Sequence, residues 1–272
     1  MVANKTAKAR IRVGIGGWIF PAWRDNFYPA DLVQRRELEY ASRRLGAIEI
    51  NSTFYRAQKP ATYASWASQT PEDFVFSVKA PRYISQSREL AAAGTMARRF
   101  IEGGLAELGP RLGPILWQLA PTWKFNRDDL AAFLDALPRA LDGERLRHVL
   151  EVRHRSFLDP AYVALARDHA VATVFTDSDD YPSLADITGD FIYARLMRTR
   201  EELETGYTAG ELDGLAQLVG GWSRGDDPAQ LPHVAEPRAT RARRDVFAYF
   251  ISGAKARNPA AAMALIERLS SA

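Results

Sequence analysis

The chain has 272 residues, 47% of them hydrophobic and 25% charged, a globular composition and a length that one β/α barrel of roughly 250 residues accommodates. Cysteine is absent, which excludes disulfides, thiolate nucleophiles, cysteine-ligated iron–sulfur clusters and cysteine-rich zinc sites. Thirty-six basic residues against 33 acidic ones leave a net charge of +3, a near balance that admits an anionic partner without marking a nucleic-acid binder.

The segment from Met1 to Arg12 is basic and polar, with no apolar signal stretch, and no run approaches the roughly 18 apolar residues of a membrane helix. A cytoplasmic protein with no membrane partner is expected. Short β-branched or apolar runs then alternate with segments of helical periodicity, the pattern of repeated βα units around a parallel sheet. Strand one is placed at 11–15, followed by the aromatic loop 16–30 with Trp18, Phe20, Trp23, Phe27 and Tyr28, and a helix at 31–45. Strand two (47–51) precedes a helix at 60–69, strand three (74–79) a helix at 95–108, and strand four (115–119) a helix at 127–137. Strand five (148–153) leads to a helix at 160–169, where Asp159 caps and Pro160 takes the first helical position. After strand six (171–177), residues 178–189 carry Asp179, Asp180, Pro182 and Gly189 with little helical pattern, so a short irregular crossover is expected in place of a helix. Strand seven (191–196) is followed by a helix at 209–222. An inserted loop at about 225–244 carries a basic cluster, Arg238, Arg241, Arg243 and Arg244, read as solvated. Strand eight (246–251) and a helix at 259–269, with Asn258 as its cap, complete eight units. No internal repeat or hinge divides them, so the expected fold is α/β: a single TIM-type (β/α)8 barrel domain spanning 1–272.

Side chains alternate faces along a strand, so the apolar parity can be assigned to the helices and the polar parity to the barrel interior. This turns Glu49 and Asn51, Ser77 and Lys79, Gln118, Glu151 and Arg153, Asp177, Tyr193 and Arg195, and Tyr249 inward. These positions lie near the carboxyl ends of their strands, where barrel enzymes build their sites. Glu49, Glu151 and Asp177 are the candidate catalytic carboxylates. Lys79, Arg153 and Arg195 are candidate cations for an anionic substrate. Trp18, Asn51, Tyr55, Gln118, His154 and Tyr249 complete the candidate binding set, Trp18 and Tyr55 as ring surfaces for a ligand. Charged residues are almost never fully buried unless paired, so mutual ion pairing that closes the barrel top competes with a functional reading. Of four histidines only His154 falls beside the mouth, which argues against a histidine-rich metal cluster. The cofactor is left open, with a carboxylate-bound magnesium or manganese as a minor alternative. No Walker loop, GxGxxG turn, GxSxG elbow or HExxH helix is present. Gly14, Gly16 and Gly17 form a flexible turn able to approach a phosphate, a weak signal by itself.

The residues Gly14, Gly17, Trp18, Trp23 and Phe27-Tyr28-Pro29, then Glu49-Ile50-Asn51-Ser52-Thr53-Phe54-Tyr55, Phe76-Ser77-Val78-Lys79 and Leu112-Gly113-Pro114-Ile115-Leu116 form a specific series. It continues with Gln118-Leu119, Glu151, Arg153-His154, Ser156, Asp177-Ser178, Tyr193, Arg195-Leu196 and Tyr249-Phe250. In these motifs the chain resembles the YecE-like family, domain of unknown function 72, over nearly its whole length. The resemblance implies a barrel related to the TIM type and assigns no reaction. Phe157 stands where the family usually has tryptophan. Met197-Arg198 replaces its usual His-Gly, and Ile251-Ser252-Gly253 replaces an Asn-Asn-Asp run, so strands two, three, five and seven carry the candidate site.

Four functional readings compete. The first is an enzyme on a phosphate-bearing or other anionic substrate, with Glu151 or Glu49 as general acid or base and Lys79, Arg153 and Arg195 stabilising charge. The second is a glycoside-hydrolase-like pair, Glu49 and Glu151, which a basic side chain filling the gap between them would count against. The third is a nucleic-acid-binding or nuclease-like barrel, a weakly supported analogy of fold. The fourth is a non-catalytic scaffold with a structural ion-pair network. The partner expected is a small anion, and oligomeric state is not readable from the sequence.

Overall fold

A computed structural model of the chain describes residues 10–24, 26–237 and 242–271. Its centre is a closed barrel of eight parallel strands: β1 Ile11–Gly16, β2 Ala47–Ile50, β3 Val75–Lys79, β4 Leu112–Gln118, β5 His148–Glu151, β6 Ala172–Thr176, β7 Phe191–Leu196 and β8 Asp245–Phe250. Strands consecutive in sequence pair in space, and the seam closes where β1 meets β8 with Ile11 opposite Val246 and Ile15 opposite Phe250. Alternation produces two apolar layers. Ala47, Val75, Leu116, Val149, Val174, Tyr193, Phe247 and Tyr249 fill the barrel, small residues on some strands accommodating rings from others. Ile48, Phe76, Ile115, Trp117 and Leu150 face the helices.

The helices are α1 Glu37–Ser42, α2 Pro60–Ser68, α3 Arg82–Ser85, α4 Gly94–Glu102, α5 Arg127–Ala136, α6 Pro160–Asp168, α7 Ala209–Arg224 and α8 Asn258–Ser271. The Asp159 carboxylate accepts from Ala161 N–H at 2.8 Å, so α6 starts as the sequence predicts. Two expected helices are shorter. A 3₁₀ turn, Gln34–Arg36, precedes α1, and α4 stops at Glu102 because Gly104 adopts φ +141° before a second 3₁₀ segment, Leu105–Arg111. Asn258 belongs to α8 itself. Its Oδ1 accepts from Thr199 and Ser252 hydroxyls at 2.9 and 2.8 Å instead of capping the helix.

The crossover after β6 contains no helix, and the inserted loop packs with it. Asp186, buried in the crossover, accepts from Val234 and Ala235 N–H at 2.9 Å each, and Ala185 N–H donates to the Pro232 carbonyl at 2.8 Å. The solvated reading of the basic cluster is corrected at Arg244. Its side chain is buried, with Nη1 donating to the Asp226 carbonyl at 3.1 Å, while Arg243 is exposed. Arg238 and Arg241 lie outside the described residues. An unpredicted antiparallel hairpin, Ala140–Leu141 with Glu144–Arg145, turns through Asp142 and Gly143 at positive φ. Among the described residues no helix is long and apolar enough to cross a membrane.

Candidate functional site at the carboxyl ends of the strands

The last inward positions of β2, β5 and β7 are Glu49, Glu151 and Arg195. Parallel register brings them to one level: Gly16 pairs with Glu49, Gln118 with Glu151 and Thr176 with Arg195. Arg195 lies between the two carboxylates. Its Nε and Nη2 donate to Glu49 Oε2 and Oε1 at 3.1 Å each, and its Nη1 donates to Glu151 Oε2 at 2.7 Å. The remaining acceptor capacity is also engaged. Tyr193 Oη donates to Glu49 Oε2 at 2.8 Å, Gln118 Nε2 to Glu151 Oε2 at 2.6 Å, and Arg153 Nε and Nη2 to Glu151 Oε1 at 2.9 and 2.7 Å. All three central side chains are sealed, with Glu49 0%, Glu151 3% and Arg195 2% exposed.

This geometry sets the protonation states. Burial alone would raise the Glu151 pKa, but Arg195 and Arg153, with the Gln118 hydrogen bond, overcome it and hold the group down at about 2. Burial likewise works against the Arg195 cation, and Glu151 and Glu49 more than offset it, raising its pKa. The Tyr193 phenol is pushed well above its usual value by burial and by the Glu49 charge. Beside it, the Tyr249 and Ser77 hydroxyls share a hydrogen bond of 2.7 Å, and Tyr249, which joins the interior layer, is fully buried.

Lys79 differs from the other cations. It is buried at the end of β3, its Nζ lies 3.9 Å from the Phe54 ring centroid, and among the described residues no carboxylate oxygen lies within 4.0 Å of it. Thr53 Oγ1 fixes this arrangement by donating to the Lys79 and Ile50 carbonyls at 2.7 and 3.1 Å, which pins the turn Ser52–Phe54 against β3. Burial, followed by repulsion from Arg195, lowers the Lys79 pKa to about 8 despite Glu49 and Glu151 nearby. Arg153 is half-buried and stacks on Tyr181 at 4.1 Å, a residue of the irregular crossover.

Other predicted positions fall outside this cluster. Asp177 is one residue beyond β6, and the inward parity of Ala172 and Val174 continues to Thr176. Asp177 therefore points the other way, accepting from Met197 N–H at 2.5 Å and Tyr207 Oη at 2.8 Å, and burial raises its pKa against those bonds. His154 caps the turn Arg155–Phe157, its Nδ1 accepting from Ser156 N–H at 3.1 Å. Trp18 packs edge-on to Trp66 at 5.0 Å. Tyr55 is 72% exposed, with its ring against Phe54. Asn51 is half-buried and bonds weakly to the Glu49 carbonyl at 3.4 Å. Sequence reasoning missed Thr176 and Tyr181 under Arg153, and it named Phe54 without placing it under Lys79. Parity from Ala172 would have found the first, but the two rings sit on irregular segments where no periodicity applies. Among the described residues no group of three or more His, Cys, Asp or Glu side chains is placed to hold a metal ion. The carboxylate-metal alternative gains no support, because the Glu49 and Glu151 oxygens face Arg195 while Asp177 lies elsewhere.

Fold and mouth together define a TIM-type β/α barrel whose strand carboxyl ends enclose a buried ion-pair cluster. Residues 12–272 match the family model described as "Protein of unknown function DUF72", and the chain belongs to that family. A curated relative, UPF0759 protein YunF of Bacillus subtilis (strain 168), is 23% identical over 157 residues, or 56% of this chain; the match spans about half, 54%, of that relative. Among solved structures, a DUF72 family protein from Thermotoga maritima MSB8 superposes with a TM-score of 0.70 at 22% identity, covering 96% of this chain and 98% of that one. A DUF72 family protein from Enterococcus faecalis V583 gives 0.67 at 17%, covering 96% and 95%. A xylose isomerase-like TIM barrel/4-hydroxyphenylpyruvate dioxygenase fusion protein gives 0.51 at 16%, covering 94% of this chain and 41% of that one.

Proposed function

We propose that the carboxyl-end mouth of the barrel binds a small phosphate-bearing or other anionic substrate, with Lys79 as the contacting cation and proton-transfer group and Arg153 as its neighbour. The observation that carries this reading is the Lys79 ammonium, buried over Phe54 with, among the described residues, no carboxylate at ion-pair distance. An amine with a pKa of about 8 is mostly protonated at pH 7 and gives up its proton within reach of neutral pH. Glu49, Arg195 and Glu151 form the frame behind it. Their mutual bonds occupy the acceptors that a general base needs, and Glu151, with a pKa of about 2, holds no proton to donate at neutral pH. Arg195 fills the gap of a glycosidase pair, which disfavours that reading. Nucleic acid gains no support at a mouth with so few uncommitted cations. We further place the chain in the cytoplasm, which its lack of cysteine supports, and treat it as one domain, which the closed barrel and the match over 12–272 support.

The test is thermal stabilisation by inorganic phosphate and phosphorylated small molecules. A ligand at about 100 times its Kd adds about 2.7 kcal/mol. The expected stabilisation is present at pH 7, fades as pH rises through about 8 and is absent in Lys79→Met. No stabilisation by any of these ligands, or stabilisation unchanged in that variant, would leave the second reading: a structural ion-pair plug, which the saturation of both glutamates favours.

A further inference from the structure

The opposite, amino-terminal mouth of the barrel opens into a cavity of about 820 Å³ whose lining includes six arginines against four carboxylates. Strand starts supply its floor. Arg12 of β1 and Arg147, just before β5, both lie over the Phe247 ring of β8, at 5.9 and 5.8 Å from its centroid. One carboxylate serves this centre. Asp245 Oδ2 accepts from Arg147 Nη1 at 2.7 Å, and its Oδ1 accepts from Arg10 N–H at 2.9 Å, so both oxygens are engaged. Asp190 is likewise engaged by Arg145 at 2.6 Å. The arginines outnumber these partners. Among the described residues the Arg12 Nε is buried with no hydrogen-bond partner, and its Nη2 reaches the Asp73 carbonyl at 3.5 Å. Arg10 and Arg243 are exposed at the rim, and among the described residues neither guanidinium has a carboxylate within 4.0 Å. Burial, and repulsion from Arg10 and Arg147, lower the Arg12 pKa despite Asp245. An anion seated here would relieve that repulsion.

We propose that this amino-terminal cavity is a second binding site, for a ligand carrying adjacent phosphate groups, with Arg12 at its floor and Arg10 and Arg243 closing on it from the rim. The guanidinium fork suits phosphate oxygens in pairs. Cations spread across the cavity fit a run of phosphates better than a single one, and the volume falls within the range of small-ligand sites. The inference is independent of the proposed role of Lys79, which lies at the other end of the barrel.

Calorimetric titration of the full chain with inorganic tripolyphosphate, ATP and adenosine separates the phosphate run from a nucleoside as the recognised group. Arg12→Gln and Arg243→Gln test this cavity, and Lys79→Met tests the other mouth. Tripolyphosphate and ATP are expected to bind, adenosine is not, and affinity falls as salt is raised. In the Lys79→Met background, which removes the contacting cation of the other mouth, Arg12→Gln should weaken tripolyphosphate about tenfold and Arg243→Gln several-fold. Should Arg12→Gln fail to fold, as read by circular dichroism, the exposed Arg243→Gln still decides. No tripolyphosphate binding at low salt, equal affinity in the arginine variants, loss only in Lys79→Met, or adenosine binding as tightly as ATP would each overturn the site.

Discussion

Arg195 lies between two glutamates in a sealed interior, and removing it would strand Glu49 and leave Glu151 to Arg153 alone. Leaving a buried charge without its partner costs about 3–5 kcal/mol, so Arg195→Met should lower the unfolding free energy by an amount in that range, read as a lower urea midpoint with little change in slope. Replacing the three charges together, with Glu49→Gln and Glu151→Gln added, should recover much of the loss, since what is expensive is the unpaired state. Lys79 behaves in the opposite sense. Its folded pKa of about 8 lies below the roughly 10.4 of an unfolded lysine, so the unfolded chain binds more protons between those values and stability rises with pH across that window. Below about 8 the whole cost of burying the ammonium is present. Lys79→Met should therefore stabilise the fold at pH 7 by on the order of 1–3 kcal/mol, read as a raised melting temperature, and the gain should vanish above about pH 10. Alternation alone placed Glu49, Glu151 and Arg195 on one interior face. It failed at Asp177, where extending the strand by one residue inverts the face. It also gives direction without distance, so the saturation of the glutamate oxygens could not be read from it.

At the scale of elements, the strands were readable because each apolar run fits a buried parallel strand, and the crossover after β6 because it lacks any helical period. What fills the space there was not readable: Asp186 joins residues 48 and 49 positions away through two backbone N–H groups, a contact without local signature. The hairpin at 140–145 did carry one, an Asp-Gly pair between short apolar and polar runs. Gly104 marks another boundary that periodicity ran through. A Cβ there would sit 3.0 Å from the Pro60 Cα, at a φ of +141° that L-residues rarely adopt. Gly104→Ala should cost about 1–3 kcal/mol, readable as a lower melting temperature, with the anion binding of both mouths retained at a temperature where the variant is folded.

Across the whole molecule, the barrel interior separates two differently built ends. The carboxyl end concentrates its charges in bonds among themselves and leaves Lys79 over, whereas the amino end spreads arginines around open volume. Ring layers from Phe247 through Tyr193 and Tyr249 lie between them. The seam between β1 and β8 has a temporal consequence. Its flanking bond, Arg10 to Asp245, spans 235 positions, so at the usual pace of protein synthesis β1 is made roughly ten to fifty seconds before its partner leaves the ribosome. For that interval one edge of the first strand has no partner within its own chain. A nascent barrel of this kind depends on being shielded until its last strand arrives.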